Sequence, residues 1–264
     1  MLTTIVFDGA GTNGLPPEDP RSILTPLIQR LRWRTGCTVH RPEWAASLMG
    51  VGGSKSWPVA TRHAVTDAAE HMRATEGEFI VIGYSAGCRP ARELIEQHPD
   101  LADRTVALGL VADPWQPATR NQHGVPDPPG YGIMGSRLGP IPDRTFWTGA
   151  ENDPICRAAW DSLLRYITPA ADKLPGQFLV AFLDHARRGR LQLIPFLGLP
   201  LHEWFFGLGA RIDRAVVEAR GYLFDGCHTA AYTRPFRTAD GKTDSLVHRL
   251  ADSIAWRLNH PKEA

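Results

Sequence analysis

One serine, set in a glycine-rich turn directly after a strongly hydrophobic segment, constrains the fold of this chain most. Residues 79–84 (FIVIGY) predict a buried strand, and residues 86–97 predict a helix. Between them Gly83, Ser85 and Gly87 match G-x-S-x-G, a strained turn that holds a serine hydroxyl clear of a sheet. The bare pattern is common, but its position between a strand and a helix is not. The sequence therefore predicts that Ser85 is a nucleophile.

Hydrophobic segments alternate with helical patterns along most of the chain. This alternation predicts an α/β fold with a central parallel sheet flanked by helices. We place strand 79–84 centrally because it is the most hydrophobic. The other predicted strands are 3–7, 38–40, 106–111 and 144–147. Three further helices are predicted: one that begins at Asp19, one over residues 57–75, and a closing helix from Thr243 to Leu258.

The pattern also divides the chain into three parts. Residues 1–168 are predicted to form the α/β core, and residues 221–264 continue it with a histidine loop and the closing helix. Residues 169–220 are rich in helical patterns and carry no strand signal, which indicates a helical insertion. Residues 113–142 are rich in Pro and Gly and predict a long surface loop, a feature that is usually functional.

A nucleophilic serine needs a histidine base and an acid that orients it, in the chain order Ser, acid, His for this fold. His228 is the preferred base because it lies in a loop before the closing helix. The other histidines considered are His123, His185, His202 and His248. Asp153 is the preferred acid because it lies just past the last predicted strand. Asp113, Glu151 and Asp225 remain alternatives for the acid.

The glycines after the first strand allow two interpretations. Gly9, Gly11 and Gly14 match the G-x-G-x-x-G turn of dinucleotide-binding proteins. That turn should open a helix, which Pro16 opposes, and the acidic residue expected about 20 positions later is missing. We instead predict an oxyanion hole formed by the backbone N–H groups of Ala86 and Thr12.

No cofactor or metal is expected. His202-Glu203 begins like the zinc motif H-E-x-x-H, but Phe206 occupies the position of the second histidine. The four cysteines have no zinc-ligand spacing, so buried free thiols are the simplest interpretation. A Cys156–Cys227 disulfide is an open alternative.

Composition limits the classes of partner. The formal net charge of +1, from 29 basic and 28 acidic residues, predicts no nucleic-acid partner. No apolar run is long enough for a membrane span, so no integral membrane contact is expected, and the oligomeric expectation is a monomer. The N-terminus lacks the basic region of a signal peptide, and we expect synthesis in the cytoplasm.

With these residues in place, the chain resembles the cutinase-like serine esterases, and within them the mycobacteriophage lysin B enzymes. The resemblance covers nearly the whole chain, including the helical insertion, which plain cutinases lack. The sequence departs from the family pattern at Ala86, where Gln is frequent. The matching segments are the Gly-Thr loop after the first strand, residues 83–87, residues 127–135, residues 153–156, and His228 followed by Tyr232.

The resemblance implies an α/β-hydrolase that cleaves the ester between mycolic acids and arabinogalactan during phage lysis of a mycobacterial-type host. Its substrate would be a glycolipid ester, and it would act at the cell envelope after release from the host cytoplasm. A general cutinase-like lipase acting on simple lipid esters is the alternative. An inactive binding module on the same fold is a third hypothesis, from another class.

Overall fold

Five parallel strands form the centre of the molecule. The structure is a computed structural model that describes residues 1–12, 15–16, 18–48, 51–122, 125, 127, 129–136, 143–166, 208–238 and 241–260. The strand order is β2-β1-β3-β4-β5, so β3 is central, as its hydrophobicity predicted. The strands are β1 (Leu2–Phe7), β2 (Thr38–His40), β3 (Glu78–Tyr84), β4 (Thr105–Val111) and β5 (Thr145–Thr148).

Helices cover both faces of this sheet. Alternate β3 residues face opposite layers: Phe79 and Val81 pack against α2 and α3, while Ile80 and Ile82 pack against α1 and α8. Both layers are therefore apolar, as a buried parallel sheet requires. The helices are α1 (Thr25–Thr35), α2 (Trp57–Ala74), α3 (Cys88–Gln97), α4 (Pro99–Ala102), α5 (Pro154–Arg157), α6 (Leu208–Leu223), α7 (Ala230–Thr233) and α8 (Leu246–Asn259).

Two predicted helix starts were wrong. Asp19 does not cap α1, which begins six residues later at Thr25. Its carboxylate instead accepts hydrogen bonds from the backbone N–H of Arg21, at 2.8 Å, and from the Arg21 guanidinium, which closes a local turn.

The closing helix also begins later than predicted. Thr243–Asp244 forms strand β7, which pairs antiparallel with β6 (Phe236–Arg237). Ser245 then caps α8, since its hydroxyl accepts a hydrogen bond from the backbone N–H of His248 at 3.3 Å.

The predicted insertion falls largely outside the described residues. Residues 169–207 are not described, and α6 crosses the predicted boundary after residue 220. Much of the predicted 113–142 loop is described; its residues 123, 124, 126, 128 and 137–142 are not. Within the described ranges, no helix is long and apolar enough to cross a membrane.

Candidate active site

The G-x-S-x-G turn has the backbone strain expected of a nucleophile elbow. Ser85 has a φ of 54°, in the left-handed region that a residue with a side chain rarely adopts. A Cβ on Gly87 would lie 2.2 Å from the Phe7 carbonyl oxygen, and one on Gly83 would lie 2.8 Å from the Cys88 Cα. Both predicted elbow glycines are therefore required for close packing against β1 and α3.

Ser85 and His228 are in direct contact. The two residues are 143 positions apart in the chain, and Ser85 Oγ lies 2.7 Å from His228 Nε2. Both residues are buried. The hydroxyl and the imidazole are at the distance that proton transfer requires.

Asp153 completes this chain of hydrogen bonds from the other side of the imidazole. His228 Nδ1 lies 2.9 Å from Asp153 Oδ2 and 3.1 Å from Oδ1. Asp153 is fully buried and caps α5, because its Oδ1 accepts a hydrogen bond from the Ile155 N–H at 3.0 Å. The structure thus brings Ser85, His228 and Asp153, the three residues predicted from the sequence, into one chain of hydrogen bonds.

Tyr232 is a further residue of the site whose role the sequence did not predict. Its hydroxyl donates to Asp153 Oδ2 at 2.6 Å and accepts from the Ala150 N–H at 3.1 Å. Burial, followed by the nearby charge of Asp153, raises the pKa of the Tyr232 phenol well above its usual range. The phenol therefore keeps its proton and stabilises the charged carboxylate.

Two more tyrosines pack against the imidazole of His228. The Tyr84 ring is stacked on it with centroids 5.3 Å apart, and its hydroxyl donates to the His228 carbonyl oxygen. The Tyr222 ring, at the end of α6, lies 4.8 Å from it. Burial raises the pKa of Tyr222 to about 12, so this ring is also neutral. The histidine is fixed by aromatic packing and has Asp153 as its charged partner.

The loop after β1 lies against the elbow, where the oxyanion hole was predicted. A Cβ on Gly9 would lie 3.5 Å from the Ser85 Cβ. The Gly11 N–H donates to the Ala46 carbonyl at 2.9 Å, which leaves the Thr12 N–H as the better candidate of the two. The Thr12 hydroxyl donates to the Gly9 carbonyl and so holds the loop closed.

Ala86 follows Ser85 in the first turn of a helical segment. The first N–H groups of such a segment have no partner within it. The Trp57 indole donates to the Ala86 carbonyl at 3.2 Å, which anchors the turn to α2. Because this segment begins at Ser85 itself, the Ala86 N–H lies directly after the serine, where the oxyanion role was predicted for it.

The alternative acids lie elsewhere. Asp113 is fully buried and forms an ion pair with Arg92, which is itself almost completely buried, and it also accepts from the Trp147 indole at 3.0 Å. It therefore anchors α3 to the sheet. Glu151 and Asp225 are both exposed.

Of the alternative bases, His248 lies 3.5 Å from Asp244 on the partly exposed side of α8. The other three, His123, His185 and His202, lie outside the described residues.

The cysteines form no disulfide. Cys37, Cys88, Cys156 and Cys227 are all free and buried, so the Cys156–Cys227 alternative was wrong. Burial raises the pKa of the Cys156 thiol well above its usual range, and Cys156 Sγ lies 3.3 Å from the Tyr232 hydroxyl. In the described part of the chain, no group of three His, Cys, Asp or Glu side chains could hold a metal ion.

Comparison with known proteins gives matches among solved structures alone: no family model and no curated protein matches the sequence. Lysin B from Mycobacteriophage D29 superimposes with a TM-score of 0.52 at 15% identity, over 86% of this chain and 94% of that chain. A cutinase-like protein from Cryptococcus sp. matches at 13% identity over the same shares of both chains, with a TM-score of 0.44. A pyrethroid hydrolase from Sphingobium faniae JZ-2 matches 55% of this chain and 47% of its own, at 20% identity and a TM-score of 0.30.

The likeness to lysin B, taken with the parallel sheet order, confirms the fold predicted from the sequence. At this level of identity it concerns the fold alone. The chain has an α/β-hydrolase fold, with a central parallel sheet flanked by helices.

Proposed function

We propose that the protein is a serine esterase with Ser85 as nucleophile, His228 as base and Asp153 as the orienting acid. The observation that carries the proposal is the hydrogen-bonded chain from Ser85 Oγ through His228 to Asp153, with the serine in a left-handed turn. A chance G-x-S-x-G would not bring a buried histidine and a buried carboxylate to it in the required order.

The geometry supports a two-step acyl transfer. His228 Nε2 takes the proton of Ser85 as Oγ attacks the ester carbonyl, and the carbonyl oxygen becomes an oxyanion held by the N–H groups of Ala86 and Thr12. The imidazolium, paired with Asp153, gives its proton to the departing alkoxide. Water then attacks the acyl-enzyme by the same route and releases the carboxylic acid and free serine.

For the substrate we propose the ester that joins mycolic acids to arabinogalactan, with action at the envelope of a mycobacterial-type host during phage lysis. The resemblance to the lysin B enzymes in sequence motifs and in fold supports this assignment. The leaving group would be a sugar hydroxyl and the product a long-chain hydroxy acid.

The first test is hydrolysis of p-nitrophenyl esters, from short to long acyl chains, by the wild type and by Ser85→Ala, Asp153→Ala and His228→Ala. We expect turnover by the wild type and a loss of about 10⁶-fold in kcat for Ser85→Ala. An inactive wild type, or a Ser85→Ala variant that keeps its rate, would contradict the esterase assignment.

The substrate is tested separately on purified mycobacterial cell-wall material, from which the active enzyme should release mycolic acids. Hydrolysis of p-nitrophenyl esters without such release would favour the cutinase-like alternative.

A further inference from the structure

A large polar cleft opens beside the loop that carries Thr12. It has a volume of about 1150 Å³ and lies between the loop after β2, one face of α2 and the loop after β1. Its lining includes Trp44 from the first, Arg62 and Glu70 from the second, and Thr12 from the third. None of the residues in the proposed triad lines this cleft, so the proposed reaction does not account for it.

The cleft is continuous with the proposed oxyanion loop. Thr12 lines the cleft, and its hydroxyl donates to the carbonyl of Gly9, which packs against Ser85. Parallel strands end at the same edge of a sheet, so the loops after β1, β2 and β3 all lie on the side of Ser85. The alcohol portion of an ester bound for attack by Ser85 therefore needs only to extend past Thr12 to reach the cleft.

Charges of both signs line the cleft. Two of them compensate each other, because the buried side chains of Asp8 and Arg41 form an ion pair. Around the rim, two cations are set among three carboxylates; these residues are Lys55, Arg62, Glu43, Asp67 and Glu70.

This mixture selects against several ligand classes. Three carboxylates oppose a phosphate or another anion, and the cations oppose a basic peptide. An acyl chain would have to desolvate charged groups without replacing their hydrogen bonds, which is costly. A neutral polyhydroxylated ligand fits instead, because each hydroxyl can donate to a carboxylate and accept from an ammonium or guanidinium group.

Arg62 and Glu70 have the free hydrogen-bonding capacity that such a ligand needs. Both are exposed on α2, and neither forms an ion pair or hydrogen bond with another described residue. They are eight positions apart on one helix face, about 12 Å along the axis. A chain of several sugar rings is long enough to contact both.

We propose that this cleft binds the carbohydrate portion of the ester substrate, a neutral glycan chain. The inference rests on the proposed esterase function for its catalytic meaning. Binding energy from sugar units remote from the ester would orient the carbonyl over Ser85 and increase kcat/KM for the natural ester.

The test measures glycan binding and catalysis separately. Binding of ester-free arabinogalactan is measured by calorimetry with Ser85→Ala protein, with and without Arg62→Gln and Glu70→Gln together. The control is Arg73→Gln, also on α2, whose exposed side chain pairs with Asp100 away from the cleft. We expect the double variant to bind about tenfold more weakly, the loss of one to two good hydrogen bonds, and the control to bind like the parent.

Catalysis is compared as a ratio. The double variant, made in the wild-type background, should lower kcat/KM for a glycan ester about tenfold more than kcat/KM for a p-nitrophenyl ester. An unchanged ratio of the two kcat/KM values would overturn the cleft proposal, and so would equal arabinogalactan affinity in the double variant and the Arg73→Gln control. In either case, Ser85-dependent hydrolysis of p-nitrophenyl esters would still support the esterase. Cleft-dependent glycan binding by a protein that hydrolyses no ester would support the cleft and refute the esterase.

Discussion

Replacing Asp153 with asparagine preserves the size of the side chain but reverses the hydrogen bonds at one of its two oxygen positions. Both carboxylate oxygens are occupied: Oδ1 accepts from the Ile155 N–H at 3.0 Å, and Oδ2 accepts from the Tyr232 hydroxyl at 2.6 Å. A backbone N–H can only donate, so the amide oxygen of asparagine must remain at the Oδ1 position. The amide NH₂ then occupies the Oδ2 position, 2.9 Å from His228 Nδ1 in the present structure.

An NH₂ group at that position changes the tautomer of His228. It donates to Nδ1 and therefore requires the imidazole proton to be on Nε2, which lies 2.7 Å from Ser85 Oγ. Nε2 then donates to the serine hydroxyl and can no longer accept its proton. We expect kcat to fall about 10⁴-fold, as in other triads with this substitution. That loss corresponds to an increase of about 5 kcal/mol in the barrier.

The assay is steady-state hydrolysis of a p-nitrophenyl ester, with thermal unfolding to show that the variant is folded. Glu151→Gln is the matched control: it neutralises an exposed carboxylate two residues away that could have been the acid on sequence grounds. It should keep the wild-type rate. If Asp153→Asn retains more than about a tenth of the wild-type kcat, or if Glu151→Gln loses as much, the assignment of the acid is wrong.

Three further predictions concern stability. Gly87→Ala should lower the free energy of unfolding by at least about 3 kcal/mol, because its Cβ would lie 2.2 Å from the Phe7 carbonyl oxygen; an unchanged thermal midpoint would refute the tight elbow. Arg92→Leu leaves the buried Asp113 unpaired and should cost about 3–5 kcal/mol in urea unfolding, whereas a neutral result would mean that another group compensates that charge. Tyr232→Phe keeps the ring but removes a hydrogen bond to a charged carboxylate, so we expect a loss of about 1.5–3 kcal/mol; equal urea midpoints would show that this hydroxyl adds nothing.

Local patterns explain why so much of the candidate site was predictable. The elbow is a contiguous strand, turn and helix, so hydrophobicity and two glycines are enough to locate Ser85. Asp153 follows the last predicted strand, and His228 precedes the closing helix. The chain order Ser, acid, His then restricts the choice among the other carboxylates and histidines.

The interactions that could not be predicted are long-range. Tyr232 meets Asp153 across 79 positions, and the Tyr84 hydroxyl meets the His228 carbonyl across 144. No local pattern distinguishes these tyrosines from ordinary core residues. The start of α8 was wrong for a related reason: a two-residue strand, Thr243–Asp244, is stabilised by its pairing partner and has too few residues to show a pattern of its own.

The three tyrosines around the triad also have a common electrostatic consequence. Burial raises the pKa of Tyr84, Tyr222 and Tyr232 above the usual range, so all three remain neutral at the pH where the histidine would act. They exclude water from His228 without adding a charge that would compete with Asp153. In such a site the attraction between an imidazolium and the carboxylate is stronger than in water, and in the proposed mechanism it would grow as the proton left the serine. Because burial among neutral rings also makes an unpaired charge costly, the proposed mechanism depends on Asp153 to stabilise the imidazolium.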